Sequence, residues 1–283
     1  MARSRRDRPN STPLSGAPPK QPRTKAAAFF DLDKTIIAKS STLAFTKHFY
    51  AGGLINRRTM LKGAYTQFMF SVNGADHDHL QKMRAQLTDM VAGWDVEVVH
   101  QIVTETLTEA INPIGYAEAV ELIEKHRAEG HDVVIVSASN SEIAEPVGAM
   151  LGVDHVIATT LEVEDGKYTG NLTFFAYGPH KAEAITALAE REGYDLAASF
   201  AYSDGETDLP LLQAVGHPFA VNPDKGLRQQ ATELGWPILS FERTTRLSGL
   251  SNPKTRTAAM AGLIGSASLI ALAVAARHRS SHA

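Results

Sequence analysis

Residues 26–35 read AAAFFDLDKT, an apolar run followed at once by two carboxylates, Asp31 and Asp33. The apolar run is typical of a buried strand, and strand side chains alternate faces, so both carboxylates can point the same way. Because unpaired buried charge is expensive, this pattern predicts a metal ion or a reacting group at the end of the strand. One carboxylate can act as a nucleophile while the other carries the leaving-group proton. The plainer alternative is an Asp-rich turn that ends the strand.

A second apolar run, DVVIV at 132–136, continues into Ser137. A small hydroxyl at the end of a strand can bind a phosphate oxygen, although a simple strand-end turn is the plainer interpretation. Asn140 and Ser141 are typical N-cap residues, so a helix is predicted from 141 to about 151. Its free N–H groups also favour an anion.

Lys181 lies in the predicted first turn of another helix, which begins near Pro179. Cations usually lie at the opposite, negative end of a helix. A lysine at the positive end is therefore unfavourable unless it holds an anion, whereas most lysines are simply solvated.

A third apolar run, SFAYS at 199–203, leads into Asp204 and Asp208. Together with Asp31, these acids offer the oxygen ligands that Mg²⁺ prefers. In open α/β sheets, ligands bind beyond the carboxyl ends of the strands, where all of these side chains are expected to converge. Three strands that each end in such residues, with a lysine between them, favour a catalytic site over three unrelated loops.

In these residues the chain resembles the haloacid-dehalogenase-superfamily phosphohydrolases, in subfamily IB, which contains the phosphoserine phosphatases. The resemblance spans about residues 26–242. Its matching positions are Asp31-x-Asp33-x-Thr35, Ser137, Lys181 and Asp204 with Asp208. The fourth motif departs slightly from the family, because Ser203 stands where a glycine commonly precedes the acid.

The resemblance implies Mg²⁺-dependent hydrolysis of a phosphomonoester through an aspartyl-phosphate. Asp31 is then the nucleophile, and Asp33 first protonates the leaving alkoxide and then activates water. The other roles that it implies are Mg²⁺ binding by Asp31, Asp204 and the backbone carbonyl of Asp33, phosphate binding by Thr35, Ser137 and Lys181, and support of the metal or of Lys181 by Asp208. Phosphate monoesters react extremely slowly unaided, and their transfer needs mainly positioning and positive charge, which agrees with these roles.

The composition allows one α/β domain plus an insertion in 283 residues, of which 43% are hydrophobic. The absence of cysteine excludes disulfides and thiol chemistry, and a net charge of −3 argues against general nucleic-acid binding. Alternating strand and helix patterns predict a doubly wound, mainly parallel, Rossmann-like sheet. Core strands are predicted at 26–30, 132–136, 155–158, 199–203 and 218–221, with helices at about 115–129, 141–151, 180–192 and 224–234 and a hairpin turn at Asp165-Gly166.

The predicted divisions are a disordered basic arm at 1–25, the core at 26–37 and 113–242, a helical cap at 38–112, a linker at 243–256 and an apolar helix at 257–276. Cap helices are predicted at about 41–51, 55–72, 77–92 and 95–111. A cap over the strand ends excludes water and selects the leaving group. His77 and His79 fall in a loop of this segment, where a polar turn is favoured over a metal site.

The substrate is less well indicated than the reaction. Phosphoserine phosphatases carry an acid soon after the first motif, which binds the ammonium group of the substrate. Here residues 36–42 read IIAKSST, and no acid occurs before Asp76. A phosphoserine-like metabolite therefore remains one candidate among small phosphomonoesters.

Residues 257–276 carry no charge over twenty positions, flanked by basic residues. A helix of that length reaches about 30 Å, the thickness of a hydrocarbon core, but eight of the twenty residues are Ala. A membrane-associated tail and a surface-lying or docked helix both remain open, as does a lipid phosphate substrate that an anchored enzyme would meet. In either case the catalytic part is expected in the cytoplasm. A catalytically quiet binding protein on the same fold is the alternative of a different class.

Overall fold

The computed structural model describes residues 25–56 and 90–247. Its centre is a sheet in the order β5-β4-β3-β1-β6-β7-β8, in which only the β4–β5 pair is antiparallel. The strands are β1 (Ala27–Phe30), β3 (Asp132–Asn140), β4 (His155–Glu164), β5 (Lys167–Phe174), β6 (Phe200–Ser203), β7 (His217–Val221) and β8 (Ile238–Leu239), with β2 (Gly115–Tyr116) and β9 (Thr244–Thr245) in a separate two-stranded ribbon. The predicted mainly parallel, Rossmann-like sheet is confirmed.

Helices cover both faces of this sheet. In the described parts they are α1 (Ser41–Ala51), α2 (Val96–Ala110), α3 (Ala117–Ala128), α4 (Ser141–Leu151), α5 (Pro179–Glu192), α6 (Leu209–Gln213) and α7 (Lys225–Glu233). Alternation along β1 sends Phe30 into the core shared with α1 to α4, and Phe29 into the core shared with α5, α6 and α7. The first strand is therefore buried on both sides, which matches its continuous apolar sequence.

The observed elements lie close to the predicted ones, with one informative difference. Strand β3, predicted over 132–136, continues to Asn140, and its pairing with β4 shifts register between Ser137 and Asn140. This irregularity keeps Ser137 and Ser139 in the strand at the edge where the candidate site lies. Asn140 occupies the N-cap position of α4 as predicted, but its side chain makes no capping hydrogen bond.

Two further details concern turns and boundaries. The predicted hairpin turn joins β4 to β5, with positive φ at both Asp165 and Gly166, as a tight turn between antiparallel strands requires. Residues 244–247, which fall in the predicted linker, contact the core: Thr244–Thr245 pairs with β2, and Leu247 is fully buried.

The described part of the predicted cap consists of α1 and α2, which pack together through Phe45, Phe49, Val99 and Val103. The side chain of Asp95 caps α2 by accepting hydrogen bonds from the N–H groups of the first turn. Most of the predicted cap helices at 55–72 and 77–92 lies outside the described residues. The basic arm before Lys25, His77, His79 and the tail at 257–276 lie outside them entirely. Within residues 25–56 and 90–247, no helix has both the length and the apolar character that crossing a membrane requires.

Candidate active site

The predicted site residues converge at the carboxyl ends of β1, β3 and β6. They line a cavity of about 250 Å³ whose walls include Asp31, Asp33, Ser137, Lys181, Asp204 and Asp208. Thr35 is the exception, because it is fully buried outside the cavity lining and its hydroxyl has no hydrogen-bond partner in the described structure. A larger open depression of about 600 Å³ lies at the β4–β5 turn, away from these carboxylates.

Lys181 joins two of the carboxylates. Its Nζ donates to Asp31 Oδ1 at 2.6 Å and to Asp208 Oδ2 at 2.7 Å, and all three side chains are buried. Burial alone would lower the pKa of Lys181, but the charges of Asp208 and Asp31 outweigh it and hold that pKa above its usual value. Lys181 is therefore a fixed cation at the floor of the cavity.

The position of Lys181 follows from the start of α5. Gly178 precedes this helix with a φ of 56°, a conformation that residues other than glycine rarely adopt. Pro179 then begins the first turn. Lys181 thus lies in that turn, as predicted. Its two carboxylate partners compensate for its place at the positive end of the helix.

The carboxylate of Asp33 is held at both oxygens. The backbone N–H of Ser41 donates to Oδ1 at 2.9 Å, and the hydroxyl of Ser139 donates to Oδ2 at 3.2 Å. The Ser41 and Ser139 hydroxyls are themselves 2.7 Å apart, so β3 and the start of α1 together fix this side chain. Burial raises the pKa of Asp33, and the hydrogen bonds from Ser41 and Ser139 oppose that rise.

Asp204 lies across the cavity, directly after β6. Burial raises the pKa of Asp204 to about 7, although Lys34, whose Nζ is 3.8 Å from Asp204 Oδ2, opposes this. Lys34 has a φ of 61°, an uncommon left-handed conformation for a residue with a side chain, and it forms part of the tight turn after β1. The turn places Asp31 and Asp33 on the cavity wall while Leu32 packs into the core.

Negative charge exceeds positive charge in this cavity. The lining includes five carboxylates against two lysines: Asp31, Asp33, Asp204, Asp208 and Asp224 face Lys34 and Lys181. Burial, together with the charges of Asp208 and Asp204, raises the pKa of Asp31 well above its usual range. A bound cation would relieve this excess, and an all-oxygen donor set fits a hard divalent ion such as Mg²⁺.

Ser137 is buried at the end of β3 and lines the same cavity. Its Oγ accepts a hydrogen bond from the backbone N–H of Ser139 at 3.1 Å, which fixes the hydroxyl oxygen while leaving its proton available to a ligand. Together, Ser137 and the Lys181 ammonium present donors to an anion next to Asp31.

Sequence reasoning missed the supporting residues. Ser41 and Ser139 orient Asp33, but they are 98 positions apart, so their contact depends on the tertiary fold. Tyr177 and Asp224 also line the cavity. The signal that could have found Asp224 is its position at the start of the predicted helix 224–234, where Asp is a common N-cap. Its carboxylate accepts the N–H of Leu227 in α7 at 2.8 Å and also that of Glu206 at 3.0 Å, which holds the loop after Asp204 in place.

Comparisons with known proteins agree with this arrangement. Residues 28–213 match the family model of the haloacid dehalogenase-like hydrolases. The chain is 52% identical over 272 residues to a probable phosphatase of Mycobacterium tuberculosis, covering 96% of this chain and 93% of that protein.

More distant relatives have different names. A phosphoserine phosphatase of Mycobacterium tuberculosis is 31% identical over 239 residues, covering 84% of this chain and 78% of that one. A histidinol-phosphatase of Neisseria meningitidis is 33% identical over 227 residues, covering 77% of this chain and 100% of that protein. A solved phosphoserine phosphatase structure, a phospho-aspartyl intermediate analogue, is similar in fold, with a TM-score of 0.57 and 20% identity over 79% of this chain and 96% of that chain.

Proposed function

Because the chain belongs to the haloacid dehalogenase-like hydrolases and is a phosphoric monoester hydrolase, we propose that it acts through an aspartyl-phosphate on Asp31. The observation that supports this most strongly is the buried Asp31–Lys181–Asp208 arrangement beside the separately held carboxylate of Asp33. Asp31 is thus paired with Lys181, a cation that can also hold a phosphoryl oxygen. Asp33 lines the same cavity and is held there by hydrogen bonds from the neutral donors Ser41 and Ser139.

The first step is attack on phosphorus. Lys181 engages Asp31 Oδ1, so we assign Oδ2 as the attacking oxygen. The bond from phosphorus to the leaving oxygen breaks as the bond to Asp31 forms, and Ser137 and Lys181 stabilise the charge on the phosphoryl oxygens. Thr35 keeps only a supporting place in this scheme, because its hydroxyl lies outside the cavity lining.

Asp33 carries the proton in both steps. Burial raises the pKa of Asp33, which eases the protonation that it needs in order to donate to the leaving oxygen. The resulting carboxylate then takes a proton from the water that attacks the aspartyl-phosphate, which releases phosphate and restores Asp31. Ser41 and Ser139 hold the carboxylate in place during both transfers.

The same cavity is proposed to bind Mg²⁺ through Asp31, Asp204 and the backbone carbonyl of Asp33, with Asp208 supporting Lys181. When bound, the ion neutralises charge on the carboxylates and the phosphoryl group. The excess of five carboxylates over two lysines supports this assignment.

For the substrate, we propose a small phosphomonoester without a strong preference for phosphoserine. Relatives of similar identity are named for phosphoserine and for histidinol phosphate, so this level of likeness does not select one leaving group. Residues 36–42 also offer no carboxylate to an ammonium group. A specificity constant for phosphoserine a hundredfold above that for glycerol phosphate, on the order of 2.7 kcal/mol, would contradict this proposal.

The other sequence-based alternatives carry less support. A lipid phosphate substrate depends on membrane binding by 257–276, which lies outside the described residues. Cosedimentation of full-length protein with vesicles, compared with a chain ended near Ser251, tests that binding directly. The helical cap at 38–112 remains a proposal supported by α1 and α2, and a catalytically quiet protein disagrees with the phosphatase relatives.

The proposed chemistry is tested by hydrolysis of an aryl phosphate with and without Mg²⁺. We expect activity that a chelator removes and that the Asp31→Asn substitution abolishes. Asp165→Asn is a matched control, because Asp165 is an exposed turn residue whose positive φ asparagine also accepts. Near-parental activity of Asp31→Asn, with deamidation excluded, or equal activity without a divalent ion would refute the mechanism.

A further inference from the structure

A cluster of potential metal ligands lies away from the catalytic cavity. The histidine cluster consists of His126, Glu129 and His131, whose ligand atoms all lie within 4.8 Å of one another. His126 is in the last turn of α3, Glu129 is its C-cap, and His131 immediately precedes β3. At about 3.3 Å per residue, the five strand steps from Asp132 to Ser137 separate the cluster from the catalytic edge by roughly 17 Å.

The distances within the histidine cluster fit a small coordination shell. His126 Nδ1 is 3.0 Å from His131 Nδ1, and His131 Nδ1 is 3.7 Å from Glu129 Oε2. Ligand atoms bonded at about 2.0–2.1 Å to a tetrahedral ion lie about 3.3 Å apart. The two observed distances lie on either side of that value, so small side-chain rotations bring these atoms to coordination distance.

The backbone holds the two histidines together. Gly130 adopts a φ of 83°, which reverses the chain after α3, and the N–H of His131 donates to the carbonyl of His126 at 2.9 Å. The side chain of His131 therefore folds back over that of His126. The carbonyl end of α3 also carries partial negative charge, which favours a cation there.

A further hydrogen bond resembles those found behind metal-binding histidines. His126 Nε2 is 2.8 Å from the hydroxyl of Tyr202, and both residues are buried. Metal-bound histidines usually direct the second ring nitrogen to a hydrogen-bond acceptor, which fixes the ring orientation. Burial lowers the pKa of His126 to about 3, so the ring is neutral at pH 7.

The cluster is open to solvent on one side. The exposed fractions of the His131 and Glu129 side chains are 19% and 45%, so an ion can reach the ring of His126 from outside. Lys125 Nζ lies 4.0 Å from Glu129 Oε1, whereas Glu129 Oε2 lies on the side of His131.

We propose that His126, Glu129 and His131 form a metal site, separate from the catalytic cavity, that takes a divalent transition ion such as Zn²⁺ with water as a further ligand. Two imidazole nitrogens and one carboxylate suit Zn²⁺ and its neighbours. They do not suit Mg²⁺, which prefers oxygen ligands.

Titration calorimetry with Zn²⁺ on the full-length protein tests this site, with Mg²⁺ held at a saturating concentration. We expect His131→Asn and Glu129→Gln each to weaken Zn²⁺ binding at least about tenfold. Tyr202→Phe, which retains the ring, is expected to weaken it by about tenfold. His180→Asn is the matched control, because His180 also faces a glutamate, Glu183, at 3.1 Å, and it should leave affinity unchanged.

Two further variants locate any binding found elsewhere. Asp204→Asn and the double substitution of His77 and His79 by Asn should both retain parental Zn²⁺ affinity. Loss of binding in either variant, unaltered affinity in His131→Asn, or no Zn²⁺ binding by the parent would each overturn the proposal. Circular dichroism of every variant confirms that the comparison is made between folded proteins.

Discussion

Replacing Lys181 with Met removes the only cation that contacts both Asp31 and Asp208 in the described structure. The lysine side chain is 3% exposed, so water cannot replace it without rearrangement. Methionine is similar in length and fills the space, and the change therefore isolates the charge. Two buried carboxylates are left facing each other.

Breaking a buried ion pair by removing one partner costs about 3–5 kcal/mol, because the remaining charge is uncompensated. We expect that loss in the free energy of unfolding at pH 7, measured by urea denaturation in the presence of chelator. Removing Lys181 also raises the pKa of Asp31 further. Proton uptake then relieves part of the cost as the pH falls, so the loss should be smaller at pH 5 than at pH 7.

The control is Lys25→Met, which removes an ion pair of similar length at the surface. Lys25 Nζ lies 2.7 Å from Asp132, but the lysine side chain is 43% exposed. Exposed pairs contribute about 0–1 kcal/mol, so this variant should remain close to the parent. The double variant Lys181→Met/Asp208→Asn removes one orphaned charge and should regain part of the stability. Equal losses for Lys181→Met and Lys25→Met would show that burial of the Lys181 ion pairs does not determine their contribution to stability.

Three further predictions concern the neighbouring groups. Asp33→Asn should slow alkyl phosphates about 10²–10⁴-fold and aryl phosphates much less, because a good leaving group needs little proton donation; equal slowing in steady-state assays would count against Asp33 as the acid. Ser203→Ala removes the 2.7 Å hydrogen bond to Asp208 Oδ2 and should lower the free energy of unfolding by about 1.5–3 kcal/mol, measured in urea at pH 7. An unchanged urea midpoint would show that this hydrogen bond does not stabilise the fold. In the presence of chelator, buried His126 stays neutral in the folded protein as the pH falls below 6.5, whereas the same residue takes up a proton in the unfolded chain. The stability that it contributes above pH 6.5 is therefore lost as the pH falls toward 3, by up to about 1.4 kcal/mol per pH unit. The unfolding free energy of His126→Asn should therefore depend less steeply on pH between 6 and 4.5, and a parallel dependence would contradict the assignment.

The sequence predicted the convergence of the acids because that convergence follows from general geometry. Apolar runs that end in Asp31, Ser137 and Asp204 become parallel strands, and parallel strands expose their carboxyl ends at one edge. For Lys181 the local pattern indicated only that a lysine in a first helical turn favours a nearby anion, and its place in the site was implied by the family resemblance.

The contacts between distant segments could not be predicted in this way. Asp33 is held by Ser139 from β3 and by Ser41 from the start of α1, and no spacing in the sequence indicates this meeting. Thr35 belongs to the recognised motif, yet it is not part of the cavity lining, and its buried hydroxyl has no hydrogen-bond partner in the described structure. From the sequence, Ser203 was only a departure from the glycine that commonly precedes the acid in this family. The structure gives a physical reason for the serine, because its hydroxyl donates a hydrogen bond to Asp208.

The proposed mechanism requires Asp31 to become phosphorylated during turnover. The most direct measurement is rapid quenching of the Mg²⁺-saturated enzyme with substrate, reduction of the acyl phosphate with borohydride, and mass spectrometry of the peptides. The mechanism predicts that reduction converts residue 31, and no other aspartate, to homoserine, and that the signal disappears without Mg²⁺. Continued turnover with residue 31 unmodified under conditions in which hydrolysis of the acyl phosphate is slowed, or modification of Asp33 instead, would contradict it.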